Sequence, residues 1–282
     1  MWRWYRDAAN WPPSPARVSL KNLTAERAEI YVHVPPPGRP IQIYAAPFPV
    51  DDNIPGEKEI AKAVLRMQLH RSGGLSSMRP EHLKMWLLLA IQEEDSSTGN
   101  WEKVFVIIQA TWRGGEFAAS CAWQTVVMIP KGGSTDFRGI GLVVVLWKAI
   151  YGIINHQMLS SIHFHDVLHG FCAGRGTGTT THKAKQLHQL ISIRETFLHS
   201  IFFYLRKAYN DLDRDRCLDI LVGYGVGHSK RRILRIYRAR LQMAAKVGRN
   251  YGSVFQSHRG VTWGYPLSPK FFNVVVDAVI RQ

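Results

Sequence analysis

The amino-acid sequence predicts an α+β fold, because stretches with helical spacing of apolar residues are interspersed with short runs suited to strands. Residues 57–69 place Ile60, Val64 and Leu65 on one face of a helix. Residues 126–129 are four consecutive apolar residues, a pattern typical of a buried strand. The chain has 282 residues, of which 46% are hydrophobic, so it can bury a sizeable core. We find no internal repeat.

The first half of the chain is predicted to be mainly helical. Gly73 and Gly74 end the first helix, and Pro80 begins the second, because proline is tolerated in a first helical turn. Gly114 and Gly115 end the third helix. The predicted elements are helices at residues 57–69, 80–91 and 101–112, a strand at 123–130, a turn at 131–134 and a helix at 142–158.

The second half is predicted to contain polar and basic helices with two short strands. The helices are at residues 179–200, 213–224, 230–245 and 269–281, and the strands are at 201–205 and 254–258. Residues 1–50 are rich in Pro, Trp and Tyr. We expect a leader or linker without a core of its own there, with a small docking surface as the alternative.

The charge of the chain favours a polyanionic partner. Lys and Arg number 36 and Asp and Glu 21, which gives a net charge of +15. Neutralising phosphates releases counterions, although a basic soluble surface has the same composition. The three cysteines show no CxxC spacing, and the N-terminus lacks the apolar core of a signal peptide. The apolar run at 139–147 is far short of the ~20 residues that a membrane span needs. We therefore expect an intracellular protein, in the cytoplasm or nucleus, without a membrane segment.

Four segments carry a more specific signal. The first reads Val-Met-Ile-Pro-Lys at residues 127–131, followed by Phe-Arg-Gly-Ile at 137–140. The second, at 169–177, reads His-Gly-Phe-Cys-Ala-Gly-Arg-Gly-Thr. The third, at 202–210, reads Phe-Phe-Tyr-Leu-Arg-Lys-Ala-Tyr-Asn, and the fourth, at 260–269, reads Gly-Val-Thr-Trp-Gly-Tyr-Pro-Leu-Ser-Pro.

In this order, the four segments resemble the reverse transcriptases of non-LTR retrotransposons and group II introns, and residues 73–83 resemble the loop and helix that open the fingers. The resemblance implies a right-hand polymerase fold, with fingers at 57–195 and a partial palm at 196–282. It implies an ancestral RNA-directed DNA polymerase, with dNTP, an RNA template and an RNA/DNA duplex as partners. The palm is expected to be truncated before the Tyr-x-Asp-Asp hairpin, with the thumb absent. The sequence leaves the oligomeric state open.

Four residues are the candidate nucleotide contacts that the resemblance implies. Lys131 and Arg138 occupy positions that contact the incoming triphosphate in the family, and both side chains suit phosphate oxygens. Tyr209 occupies the position of the aromatic ring beneath the sugar, which disfavours a 2′-hydroxyl. Trp263 stands where the family usually has a Gln, and an indole has only one donor and more bulk.

The second segment is the candidate template contact. Its glycines allow a close backbone approach, and the predicted helix after it favours phosphate at its N-terminus. Many relatives have Arg where this chain has Cys172. The template-contacting residues that the resemblance implies are Gly170, Phe171, Gly174, Arg175 and Gly176.

The metal positions of the family are not kept. Tyr204 occupies the position of the first metal-binding Asp, and a phenol is neutral at pH 7. The family's polymerisation uses two Mg²⁺ ions, which need carboxylate ligands. Asp211 and Asp213 are expected in the turn and helix after the strand, out of reach, and Asp277 is expected to be a surface or capping carboxylate. Tyr265 and Asn210 also replace common Asp residues.

No catalytic residue or resident cofactor is therefore expected, and the chain is predicted to be inactive as a polymerase. Two alternatives are a nucleic-acid-binding protein without chemistry, helped by the basic helix at 230–245, and a translated remnant without function. A third is a zinc site at His163, His165, His169 and Cys172. Without a hairpin beside it, the strand at 201–205 should expose Phe202 and Phe203 and make the chain poorly soluble.

Overall fold

The computed structural model describes residues 52–74, 76–92, 99–130, 137–159, 162–205, 208–261, 264–265 and 267–281. The side chains of Arg138 and Leu159 are outside this description. The predictions for residues 1–50, Lys131 and Trp263 also lie outside the described residues.

A mixture of helices and strands forms the described part of the chain, so the α+β class is compatible with it. The helices are α1 (Glu57–Leu65), α2 (Pro80–Gln92), α3 (Asn100–Gly114), α4 (Val145–Leu159), α5 (Thr177–Ile193), α6 (Ala208–Asp211), α7 (Arg214–Gly223), α8 (His228–Arg240) and α9 (Ser268–Ile280). A 3₁₀ turn at Ala119–Ala122 precedes the first strand. Among the described residues, no helix combines the length and apolar character required to cross a bilayer.

Four strands form one mixed sheet in the order β2-β1-β3-β4. They are β1 (Trp123–Pro130), β2 (Phe137–Val143), β3 (Gln242–Val247) and β4 (Asn250–Gln256). β1 pairs with β2 in antiparallel and with β3 in parallel orientation. The sheet thus joins strands from both sides of the predicted boundary at residue 195, while the division into fingers and palm stays a prediction.

Several local predictions were wrong, among them the helix at 179–200, which ends at Ile193 as α5. Residues 201–205 form no strand, although they are as exposed as expected, with Phe202 at 93% and Phe203 at 86%. Residues 242–245 belong to β3 rather than to the basic helix, because they pair with β1 far earlier in the chain. Residues 137–143, of which 142 and 143 were assigned to a helix, form β2.

An aromatic cluster is at the centre of the hydrophobic core. Trp147 of α4 stacks on Tyr237 of α8, with ring centroids 4.0 Å apart and planes 10° apart. Tyr151 and Tyr265 pack against the same rings, and the Tyr237 and Tyr265 hydroxyls share a hydrogen bond. Such ring pairs add about 0.5–1.5 kcal/mol each beyond the burial of their area. Tyr265 is therefore a core residue in this chain.

The basic helix α8 uses much of its charge inside the fold. Lys230 is fully buried, and its Nζ lies 3.6 Å from Asp52. Asp52 also accepts hydrogen bonds from the backbone N–H groups of Ser229 (3.0 Å) and Lys230 (3.3 Å), so it caps the start of α8. Arg232 donates to the carbonyls that end α3. These contacts account for two of the cations that composition alone would attribute to a nucleic-acid surface.

Candidate nucleic-acid interface

Described residues between positions 260 and 273 contact the second and third segments and lie against Gly141, next to the first segment. Gly264 has a φ of +95°, and a Cβ on it would collide with the carbonyl oxygen of Gly141, next to the first segment. The backbone N–H of Val261 donates to the carbonyl of Tyr209 over 2.7 Å, which joins the third and fourth segments. The positive φ and the crowded backbone explain why glycine occupies position 264.

Tyr209, a predicted nucleotide contact, lies on the short helix α6. Its ring stacks on Phe272 of α9, with centroids 5.1 Å apart and planes 23° apart. Partial burial raises the pKa of its phenol. The ring is thus half-buried in a fixed orientation.

Arg214 fixes the turn that leads into the fourth segment. Its buried guanidinium donates to the carbonyls of Gly260 (2.5 Å), Ser257 (2.6 Å) and Arg259 (2.8 Å) and to the Ser257 hydroxyl. Gly260 has a φ of +76°, and a Cβ there would lie 2.5 Å from the carbonyl oxygen of Asn210. This arrangement could not be predicted from the sequence, since Arg214 is one of many arginines and its acceptors are more than 40 positions away.

Helix α9 holds the second segment, residues 169–177, which we call the glycine-rich loop. Asn273 donates to the carbonyl of Gly170 over 2.7 Å, and Lys270 donates to the carbonyl of Phe171 over 2.8 Å. Lys270 and Asn273 are three positions apart, so they share a helix face. Sequence reasoning missed both residues, because their partners lie 99 and 103 positions earlier.

The loop turns its carbonyls towards α9 and leaves backbone N–H groups without a partner. Within the described part of the chain, the N–H groups of Gly170, Phe171 and Gly174 donate to no protein acceptor, and all three residues are exposed. Phe171 and Gly174 have φ values of 54° and 69°, in the left-handed region. Alternation of right- and left-handed residues forms concave groups of N–H donors that bind anions.

The start of α5 lies next to these donors. Gly176 precedes the helix, and its N–H donates to the Thr179 hydroxyl over 2.9 Å. The N-terminus of a helix has a partial positive charge, which favours a phosphate. No described residue of α5 is buried, so the helix is exposed over its whole length.

Arg175 has a structural role inside the loop. It donates to the carbonyls of His165 and Leu168, each over 3.0 Å, and to Asp166 over 2.6 Å. These bonds use its charge on neighbouring residues of the same chain. Arg175 therefore shapes the loop, and a direct contact with template stays a prediction.

The expectation for Asp277 was wrong, since this carboxylate is fully buried rather than on the surface. It accepts hydrogen bonds from the N–H of His165 (2.6 Å), the hydroxyl of Tyr224 (2.5 Å) and Nε of Arg281 (2.6 Å). Burial, followed by the hydrogen bond to Asp277, raises the pKa of Tyr224 well above its usual value. Asp277 thus ties α9 to α7 and to the segment that precedes the glycine-rich loop.

The carboxylates that follow Tyr204 in the sequence have structural partners. Asp213 accepts from the backbone N–H groups of Asp215 (3.0 Å) and Arg216 (3.1 Å) as the N-cap of α7, and Asp211 lies 3.4 Å from Arg259. Tyr204 is 91% exposed. Across the residues that the structure describes, no three His, Cys, Asp or Glu side chains come together as a metal site, the histidines of residues 163–169 included.

Comparison of the chain with models of known protein families and with curated proteins found no match. The likeness to reverse transcriptases therefore stays an expectation from the four segments.

Proposed function

We propose that this chain is a reverse-transcriptase-related domain that binds nucleic acid through the glycine-rich loop and does not polymerise. The observation that carries the proposal is that the third segment, the glycine-rich loop and Gly141, next to the first segment, all lie against described residues of the fourth segment and of α9. Each segment resembles the family in sequence independently of the others. Nothing in the local composition of the segments requires them to be in contact.

The glycine-rich loop supplies the chemistry for binding phosphates. Its unpartnered N–H groups at Gly170, Phe171 and Gly174 offer donors, and the adjacent start of α5 adds a favourable dipole. Backbone donors contact phosphate without reading bases, so the proposed binding is largely independent of sequence. The net charge of +15 adds the general attraction that such binding needs.

We propose that the chain lacks polymerase chemistry because of the residue at the metal position that the resemblance implies. Tyr204 cannot supply a carboxylate, and within these 282 residues no Tyr-x-Asp-Asp motif occurs. Two metals held by carboxylates are what align the attacking and leaving oxygens in this type of reaction. Lys131 and Arg138 remain the proposed nucleotide contacts from the resemblance, with Tyr209 and Trp263.

Binding is tested by filter retention of a labelled single-stranded RNA over a salt series. If the protein neutralises three to five phosphates, log affinity should fall with log salt with a slope of about −2 to −3.5, at about −0.7 per phosphate. RNA retention that does not change with salt concentration would contradict nucleic-acid binding.

A matched pair of variants tests whether the loop is the contact. Lys270→Met removes a donor that anchors the loop carbonyl of Phe171, and Lys103→Met removes the same charge from the exposed face of α3. One lost hydrogen bond of about 1 kcal/mol corresponds to about fivefold weaker binding for Lys270→Met. Equal losses in the two variants would indicate that only net charge matters.

Primer extension on an RNA template with Mg²⁺ and dNTPs tests the second half of the proposal. We expect no product from the chain as it stands. Tyr204→Asp alone should also give no product, because one carboxylate does not hold two metal ions. Template-dependent product from the unmodified chain would overturn this part.

A further inference from the structure

A second basic site has its charged residues outside the four segments, although Ile140 of the first segment and Gly264 of the fourth also line it. It is a cavity of about 520 Å³ between α1, the chain that follows α1, β2 and α4. Its lining contains the cations Lys62, Arg66, Arg71 and Lys148 and a single carboxylate, Glu59. The volume lies within the range of small-molecule sites, about 300–1,000 Å³. We call it the basic cavity.

Lys148 is a half-buried cation in an unfavourable local position. It lies in the first turn of α4, where the helix dipole disfavours a positive charge. Burial, and then the positive charge of Arg71, lowers the pKa of its ammonium. Its Nζ donates to a neutral acceptor, the carbonyl of Ser72, over 2.8 Å. Departures of this kind from local rules are expected at functional or strained sites.

The carboxylate of the basic cavity does not neutralise these cations. Glu59 accepts a hydrogen bond of 2.8 Å from the amide of Gln157. In the described part of the chain, Lys62, Arg66 and Lys148 form no ion pair. Lys62 and Arg66 are also four positions apart at the end of α1, where the like charges repel each other but suit the helix dipole.

The remaining lining combines apolar walls with one unused polar group. Met67, Pro80, Ile140 and Ile153 contribute apolar surface. The buried side-chain oxygen of Asn155 has no hydrogen-bond partner among the described residues. A buried acceptor without a partner costs about 1–3 kcal/mol, which a ligand with a donor group would recover.

We propose that the basic cavity binds a nucleotide, with its phosphate against Lys148 and the cations of α1. The cations suit the phosphate, the apolar walls suit the faces of the base, and Asn155 suits a hydroxyl or amino donor of the ligand. The nucleotide is either free or part of a single strand. The inference goes beyond the proposed function, because its charged residues lie outside the recognised segments and free nucleotide would bind even if the glycine-rich loop bound nothing.

The first arm of the test uses a fluorescent ribose-labelled AMP and the full chain. Unlabelled AMP should displace the probe about tenfold or more better than adenosine, because charge-assisted hydrogen bonds to phosphate are lost in adenosine. Inorganic phosphate should compete weakly. Absence of binding, or equal competition by AMP and adenosine, would overturn the proposal.

The second arm fills the cavity without removing charge. Gly152 of α4 lines the cavity, and a Cβ there would meet no atom within 4 Å. Gly152→Phe should abolish AMP binding, whereas Gly152→Ala leaves most of the space and should bind within about threefold of the original chain. A thermal melt verifies that both variants fold. Equal binding by a folded Gly152→Phe would contradict the site.

The third arm removes charge at matched positions. Lys148→Met should weaken AMP binding about tenfold or more, while Arg235→Gln, on the exposed face of α8, should leave it unchanged. A competing single-stranded RNA of about ten nucleotides distinguishes the two sources. Displacement of AMP from the original chain by this RNA assigns the site to a strand, and no displacement assigns it to free nucleotide. Equal AMP binding by Lys148→Met and Arg235→Gln would contradict the proposed phosphate contact.

Discussion

Replacing Asp277 by Asn should destabilise the chain strongly, although the change keeps the shape of the side chain. The carboxylate is fully buried and accepts from the backbone of His165, from Tyr224 and from Arg281. An amide keeps only one acceptor oxygen and brings two N–H donors into a site built from donors. Asp277→Asn therefore turns at least one of the three hydrogen bonds into a clash of donors.

The expected magnitude follows from these partners. Removing one member of a buried ion pair costs about 3–5 kcal/mol, because the other charge stays without compensation. Arg281 is 32% exposed, so water replaces part of its lost partner, and we expect the lower end, about 3 kcal/mol. Tyr224→Phe removes a single bond to a charged group and should cost about 1.5–3 kcal/mol.

Urea unfolding followed by circular dichroism measures both effects. Asp219→Asn, on the exposed side of α7, is the matched control and should change the free energy of unfolding by less than about 0.5 kcal/mol. The double variant of Tyr224 and Asp277 should cost less than the sum of the single variants, because they share a bond. A loss below about 1 kcal/mol for Asp277→Asn would refute the reasoning.

Three further predictions concern solubility, backbone strain and thiol reactivity. The double variant Phe202→Ser with Phe203→Ser should raise the soluble fraction in a centrifugation assay and leave the melting temperature unchanged, because both rings are exposed. A monodisperse original chain with a cooperative melt would contradict this prediction. In urea unfolding, Gly260→Ala should lower the free energy of unfolding by more than about 1 kcal/mol, because of its positive φ and the nearby carbonyl. Gly152→Ala should instead raise the free energy of unfolding by about 0.5–1 kcal/mol, because alanine is more stable than glycine inside a helix. The opposite order would contradict the geometry. Burial raises the pKa of the Cys217 thiol to about 12. In the unfolded chain the thiol ionises near pH ~8.5, so the buried neutral thiol stabilises the fold fully below pH ~8.5. This stabilisation is lost as the pH rises towards about 12. Iodoacetamide should alkylate this thiol at pH 9 only after unfolding, as read by mass spectrometry, and fast alkylation of the folded chain would contradict its burial.

The helices and the first strand were predictable because their signals are local. The apolar spacing at Ile60 and Val64, the proline at position 80 and the glycine pair after α3 each act within one or two helical turns. The strand at β1 was predicted at its observed bounds because four consecutive apolar residues indicate burial on both faces. The polymerase architecture stays a prediction from the resemblance.

The errors have a common cause, which is dependence on partners distant in the chain. Met243 and Ala244 continue the helical pattern of α8, yet pairing with β1 makes them a strand. Asp277 has the local sequence of an exposed helix residue, and only contacts with residues far earlier bury it. The basic cavity could not be predicted either, because Lys148 and Arg71 are 77 positions apart and meet only in the folded chain.

Hydrogen–deuterium exchange with and without saturating single-stranded RNA tests the central claim most directly. If the glycine-rich loop is the contact, the backbone amides of Gly170, Phe171 and Gly174 should exchange more slowly in the complex, since they gain phosphate acceptors. RNA that binds in the same sample while these amides exchange at an unchanged rate would contradict the account.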